Sequence, residues 1–87
     1  MGYKKKSGVI LELITEAKGF GMDAKDLQEC TELLEYGEFG LAIEHLATQI
    51  FEYDILISPS FYQKLSEIAN EMKMEESKYA FIAGLIK

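Results

Sequence analysis

The chain has 87 residues, of which 48% are hydrophobic, so it is long enough to fold as one domain, residues 1–87, around its own core. Its one cysteine, Cys30, excludes an internal disulfide and a cysteine-based zinc cluster. The net charge is −6 and arginine is absent, which argues against direct binding to nucleic acid, because arginine is the side chain best suited to phosphate and base contacts.

The N-terminal residues are basic, but Glu12 and Glu16 interrupt the apolar run that follows them. This pattern predicts neither a secretory signal peptide nor a membrane-spanning segment. Together with the single cysteine it favours a reducing compartment, and we expect a cytoplasmic protein.

The first predicted helix covers residues 7–18, where apolar side chains recur at the spacing of one helix face. Gly19 or Gly21 is expected to end it. Asp23 is placed to cap a second helix. The apolar face of this second helix contains Leu27, Cys30, Leu33 and Leu34. Its outer side carries an acidic line formed by Asp26, Glu29, Glu32 and Glu35.

A third helix follows Gly37, which separates it from the second by a very short turn. One of its faces is apolar and has to be buried, and it contains Phe39, Ala42, Ile43, Leu46, Ala47, Ile50 and Phe51. The other face is polar, acidic and without a balancing lysine, and it contains Glu38, Glu44, His45, Thr48, Gln49 and Glu52. We expect this second face to be free to meet a partner.

Ser58-Pro59 marks the start of a fourth helix, with serine as the cap and proline at the first helical position. In this helix Lys64 is expected to face solvent. Residues 75–86 repeat the helical pattern weakly. No segment alternates convincingly with the two-residue period of a strand. The predicted class is all-α, with four to five short helices packed as successive antiparallel hairpins.

The acidic residues are concentrated in the middle of the chain. Residues 23–54 contain nine acids and one lysine, a net charge of −8, whereas the remaining residues contain eight lysines and six acids, a net charge of +2. Such a local negative field favours a basic protein partner.

Few residues have the chemistry that catalysis or metal binding needs. His45 is the only histidine and Cys30 the only cysteine, and the cysteine lies in a leucine-rich stripe. The acids are spread at helical spacing, and no aspartate-rich loop of the EF-hand kind is present. We therefore predict no catalytic residue, no metal site, no cofactor and no small-molecule substrate.

Two tyrosines stand out among the aromatic residues. Tyr36 lies between Glu35 and Glu38, and Tyr53 lies between Glu52 and Asp54. An aromatic side chain surrounded by charges is typical of an anchor in a protein–protein interface. Tyr36 and Tyr53 are the candidate anchors.

The segments EYGEFGLAIEHL at residues 35–46, IFEYDI at residues 50–55 and the pair Ile57-Ser58 resemble the MafI-type immunity proteins of bacterial polymorphic-toxin and contact-dependent growth-inhibition systems. The likeness covers residues 33–72. In the motifs that carry it, Ala42, Glu44 and Leu46 match an A-x-E-x-L core, and Glu52 and Asp54 match a later E-x-D pattern.

The resemblance implies a small, cytoplasmic, helical protein that neutralises one cognate toxin encoded beside it. The toxin is often a nuclease, and for some relatives an RNase of the EndoU-like kind. Because a nuclease cleft is basic, we expect an acidic helical face to cover it. The predicted toxin-binding residues are Glu35, Tyr36, Glu38, Glu44, Glu52, Tyr53 and Asp54.

Three alternatives remain open at this stage. Glu44 and Glu52 either contact the toxin or brace the helical hairpin. The protein could instead be an acidic helical adaptor or anti-regulator that binds a basic nucleic-acid-binding protein. A small enzyme using His45 and Glu44 is the third reading, and it predicts turnover that disappears in His45→Ala.

Overall fold

The computed structural model describes residues 5–87, and in that range the chain is helical and contains no β-strand. The four α-helices are α1 (Lys6–Phe20), α2 (Ala24–Glu35), α3 (Phe39–Glu52) and α4 (Pro59–Glu71). Two 3-10 helices follow them, Glu76–Lys78 and Ala80–Leu85. The predicted all-α class is confirmed.

The ends of the helices have simple chemical causes. Gly21 ends α1 with a φ of +109°, and Gly37 lies in the turn between α2 and α3 with a φ of +77°; both values lie in the left-handed region that glycine adopts without strain. Asp23 caps α2 by accepting a hydrogen bond from the Lys25 amide at 3.1 Å. Ser58 caps α4 in the same manner.

The core is built around α3, whose buried face meets α1, α2 and the second 3-10 helix. Consecutive helices α1 and α2, and α2 and α3, pack on each other across short turns. Helix α4 instead packs mainly against α1, which brings distant parts of the chain together. The largest fully buried side chains are Phe61, Ile10, Leu13, Ile43, Leu46, Ile50, Ile57, Leu65 and Ile82.

Lys64 does not face solvent freely, contrary to the expectation for α4. Its Nζ lies 3.3 Å from the Glu12 carboxylate and also forms an ion pair with Glu16, so one ammonium group joins α4 to two turns of α1. All three side chains are about one-third exposed. Their contribution is therefore mainly to the register of α4 on α1, since partly exposed pairs add little free energy.

The C-terminal segment, whose sequence repeats the helical pattern only weakly, forms two 3-10 helices and no α-helix. The reason is a competing tertiary contact. The Ile57 amide donates a hydrogen bond to the Leu85 carbonyl at 3.0 Å, and the Lys87 amide donates one to the Ile57 carbonyl at 2.9 Å. This short parallel bridge holds residues 85–87 against the α3–α4 connection, while Tyr79 and Ile82 fill the core beneath it.

Within residues 5–87, none of the helices combines the length and the apolar character that crossing a lipid bilayer requires.

Leu46→Ala tests the central position of α3. Leu46 is fully buried, so its truncation should lower the free energy of unfolding by about 2–5 kcal/mol. Leu41, on the outer side of the same helix, is 49% exposed. Leu41→Ala is the matched control and should change stability by less than about 1 kcal/mol. Urea denaturation followed by circular dichroism measures both. Equal losses would contradict the packing described.

Candidate functional site

The outer face of α3 is the most distinctive surface of the molecule. Glu38, Leu41, Thr48 and Glu52 are all exposed, and their spacings of three, seven and four residues place them on one side of the helix. A 14-residue helix is about 21 Å long. This surface, the α3 outer face, is therefore an elongated strip with an acid near each end and an apolar side chain between them.

An exposed tyrosine lies at each end of the α3 outer face. Tyr36 ends α2 and is 83% exposed, and Tyr53 ends α3 and is 63% exposed. The predicted binding residues therefore form two groups. Glu35, Tyr36 and Glu38 lie at one end, and Glu52, Tyr53 and Asp54 lie at the other.

The negative charge of these two groups is not neutralised within the protein. Glu35, Glu38, Glu52 and Asp54 are exposed, and no lysine or histidine in the described part of the chain forms an ion pair with any of them. Because these four acids are exposed and form no ion pair within residues 5–87, an incoming cationic side chain would not have to displace a cationic side chain of the protein itself.

Glu44 differs from the other predicted binding residues. Its carboxylate lies 3.3 Å from Nζ of Lys78, which comes from the first 3-10 helix. The expectation that no lysine balances the polar face of α3 is therefore wrong at this position. The ion pair connects α3 to the C-terminal segment, which supports the bracing role for Glu44, whereas Glu52 has no such contact among residues 5–87.

Phe51 is also placed differently from the expectation. It was assigned to the buried stripe, but its side chain is 55% exposed and packs edge to face with Phe81 at a centroid distance of 5.3 Å. Position 51 lies at the margin of the apolar stripe, where the second 3-10 helix covers only part of the ring. Phe51 and Phe81 add apolar surface next to Tyr53.

A group of three potential ligands lies where α2 faces α3. Asp26, Glu29 and His45 each place one ligand atom within 4.8 Å of the others. Asp26 was expected on a solvated acidic line, yet only 9% of it is exposed. His45 was expected on the polar face of α3 that is free to meet a partner, yet its Nε2 lies 3.0 Å from Oε1 of Glu29 on α2. The sequence signal for this group is Asp-x-x-Glu on one helix and the sole histidine on the next.

Cys30 follows this group on α2 and is fully buried, as its leucine-rich surroundings indicate. Burial raises the pKa of its thiol from 9.0 to about 12, and the nearby charges of Asp26 and Glu29 act in the same direction. The thiol is therefore neutral at physiological pH, which is a poor state for a nucleophile or a metal ligand.

Comparison of the sequence and structure with known proteins identifies no relative of this chain. No protein-family model matches the chain, and no curated protein or solved structure is significantly similar to it.

The raised pKa of Cys30 has a measurable consequence. Well below pH 9 the thiol is protonated in both folded and unfolded chains, whereas between pH 9 and about pH 12 the unfolded chain releases the proton and the folded chain keeps it. Wild-type stability should therefore fall relative to Cys30→Ala as the pH rises from 8 towards 10. Denaturant unfolding of both proteins at several pH values measures this difference. A difference independent of pH would show that the thiol is not perturbed.

Proposed function

We propose that this chain is an immunity protein that binds and neutralises a cognate toxin domain, with a basic nuclease as the expected target. The observation that carries the proposal is the α3 outer face, which is acidic, unpaired near both ends and bordered by the exposed Tyr36 and Tyr53. The resemblance of residues 33–72 to MafI-type immunity proteins supports the same assignment.

The charge of this surface suits a partner that normally holds RNA or DNA. A nuclease cleft presents lysine and arginine side chains to phosphates, and Glu35, Glu38, Glu52 and Asp54 offer them carboxylates in place of the phosphates. Opposite charges increase the rate of encounter and disfavour acidic competitors. Inhibition would then follow from steric occlusion of the cleft.

The exposed aromatic side chains supply binding energy beyond that of the charged contacts. Tyrosine is enriched among the residues that dominate binding energy, and the interface contacts that surround such a residue exclude water from it. A standard interface covers about 800 Å² on each partner, which is roughly 30 Å across. Both ends of the α3 outer face, about 21 Å apart along the helix, fit within one such contact.

Growth rescue is the direct test. The chain should be co-expressed with the C-terminal domain of the protein encoded immediately upstream, and cell growth and co-purification scored. Rescue together with a one-to-one complex is the expected result. If that domain is toxic, is not neutralised and does not co-purify, the immunity assignment is wrong. Binding to a basic nucleic-acid-binding protein without any effect on growth would identify the adaptor instead.

Charge reversal tests the α3 outer face. Glu38→Lys with Glu52→Lys should weaken toxin binding by about 2–4 kcal/mol, because attractive contacts become repulsive. Glu67→Lys with Glu71→Lys on α4 is the control with the same change in net charge, since both residues are exposed and lie on another helix. Isothermal titration calorimetry measures both affinities. Equal effects would show that only net charge matters.

Truncation tests the tyrosine anchors. Tyr36→Ala and Tyr53→Ala should each weaken binding by about 1–3 kcal/mol without reducing stability, because both side chains are mostly exposed in the free protein. Gln63→Ala, an exposed position on α4, is the control and should be neutral. Surface plasmon resonance should show the change mainly in the dissociation rate. Unchanged dissociation in both tyrosine variants would exclude them as anchors.

A further inference from the structure

We propose that Asp26, Glu29 and His45 form a binding site for one divalent transition-metal cation of the Zn²⁺ type, located between α2 and α3. This site is separate from the proposed toxin contact and does not depend on it. It is favoured by the arrangement of the three donors, by the burial of Asp26 and of Nε2 of His45, and by the kind of atoms that the three side chains present.

The arrangement follows from the helices. Asp26 and Glu29 are three residues apart on α2, so their side chains leave the same side of the helix. His45 extends from the neighbouring α3, and the two helices pack closely. The ligand atoms of the three side chains all lie within 4.8 Å of one another. Bonds of about 2.0–2.2 Å to zinc require donor separations of roughly 3–4 Å, which small side-chain rotations would provide.

One of the three donors has a fully buried atom that lacks a hydrogen bond, and a second donor is mostly buried. Asp26 is 91% buried, and its carboxylate forms no hydrogen bond or ion pair with any residue in the range 5–87. Nε2 of His45 is buried without a hydrogen-bond partner. Although that atom is 3.0 Å from Glu29 Oε1, the contact lacks the direction of a hydrogen bond. A buried nitrogen without a partner is costly unless something satisfies it, and a cation shared with the Asp26 and Glu29 carboxylates would do so.

The donor set selects the class of metal. One imidazole nitrogen with two carboxylate oxygens suits zinc or a similar first-row cation, whereas calcium and magnesium prefer oxygen ligands alone. Two carboxylates and a neutral imidazole also balance a charge of +2. Three protein ligands leave a fourth position, and the side chain of Glu29 is 44% exposed, so water has access to the site.

The alternative without a metal is a protonated His45 held by the two carboxylates. It would account for the proximity of the charges but would give no affinity for zinc beyond that of scattered surface acids. Substitution of Asp26 or His45 would remove the metal site and the ion pair alike, so the stability of such variants does not distinguish a metal site from an ion pair. Direct measurement of zinc binding does.

The experiment uses the full chain prepared without a histidine tag. Zn²⁺ is titrated in competition with a chromophoric chelator, with excess Mg²⁺ present to suppress binding to surface carboxylates. Because the chain has one histidine, its ring signals in NMR spectra are unambiguous. One equivalent of Zn²⁺ should shift the His45 ring signals, and the affinity should fall at least tenfold in Asp26→Asn and in His45→Gln.

Two controls separate this site from other zinc contacts. Glu35→Gln removes an exposed acid from the same helix, and Cys30→Ala removes the only thiol. Both should bind Zn²⁺ as the wild type does. The proposal is overturned if one equivalent of Zn²⁺ leaves the His45 ring signals of the wild type unchanged, or if all folded variants retain wild-type affinity. The wild-type spectrum decides the question even if a ligand variant does not fold.

Discussion

Burial of one face of α3 is the constraint on which the rest of this structure depends. The side chains of Ile43, Leu46 and Ile50 are fully buried, and they can be so only if α1, α2 and the C-terminal segment surround the helix on that side. The same requirement leaves Glu38, Leu41, Thr48 and Glu52 exposed on the opposite side, where Glu44 contacts Lys78 of the first 3-10 helix. The exposed, acidic side of α3 is thus a direct result of how its core side is packed, and no additional element is needed to present it.

Features that follow from local chemistry could be predicted from the sequence. The all-α class, the apolar stripes and the caps at Asp23 and Ser58 depend on residues close together in the chain, and each is present as expected except for Phe51 at the margin of the α3 stripe. The exposure of Tyr36 and Tyr53 was likewise implied by their acidic neighbours at helix ends. Such features can be predicted from the helical period of the apolar residues and from the hydrogen bonds that cap the first turn of a helix.

Features that depend on distant residues could not be predicted. The partner of Glu44 is Lys78, and the partners of Lys64 are Glu12 and Glu16, pairs separated by 34, 52 and 48 residues. The spacing of apolar residues predicts that a residue lies on the polar face of its helix, but it does not predict which other helix packs against that face. The group of Asp26, Glu29 and His45 was missed for the same reason, since the histidine comes from a different helix. The C-terminal 3-10 helices reflect a backbone contact with residue 57 that no local pattern encodes.

The short bridge between Ile57 and residues 85–87 has a consequence for the order in which the chain folds. The α1–α2 and α2–α3 contacts join neighbours in sequence, so they close small loops and cost little chain entropy. The bridge joins residues about thirty positions apart and forms only two backbone hydrogen bonds. Helix α4 packs on α1, and all of α2 and α3 lies between these two helices in the sequence. Contacts of such separation form late, because the entropy of closure is lost before the contact is gained. The acidic side of α3 is therefore formed by residues of α2 and α3 whose contacts are local in sequence, and it does not depend on the bridge.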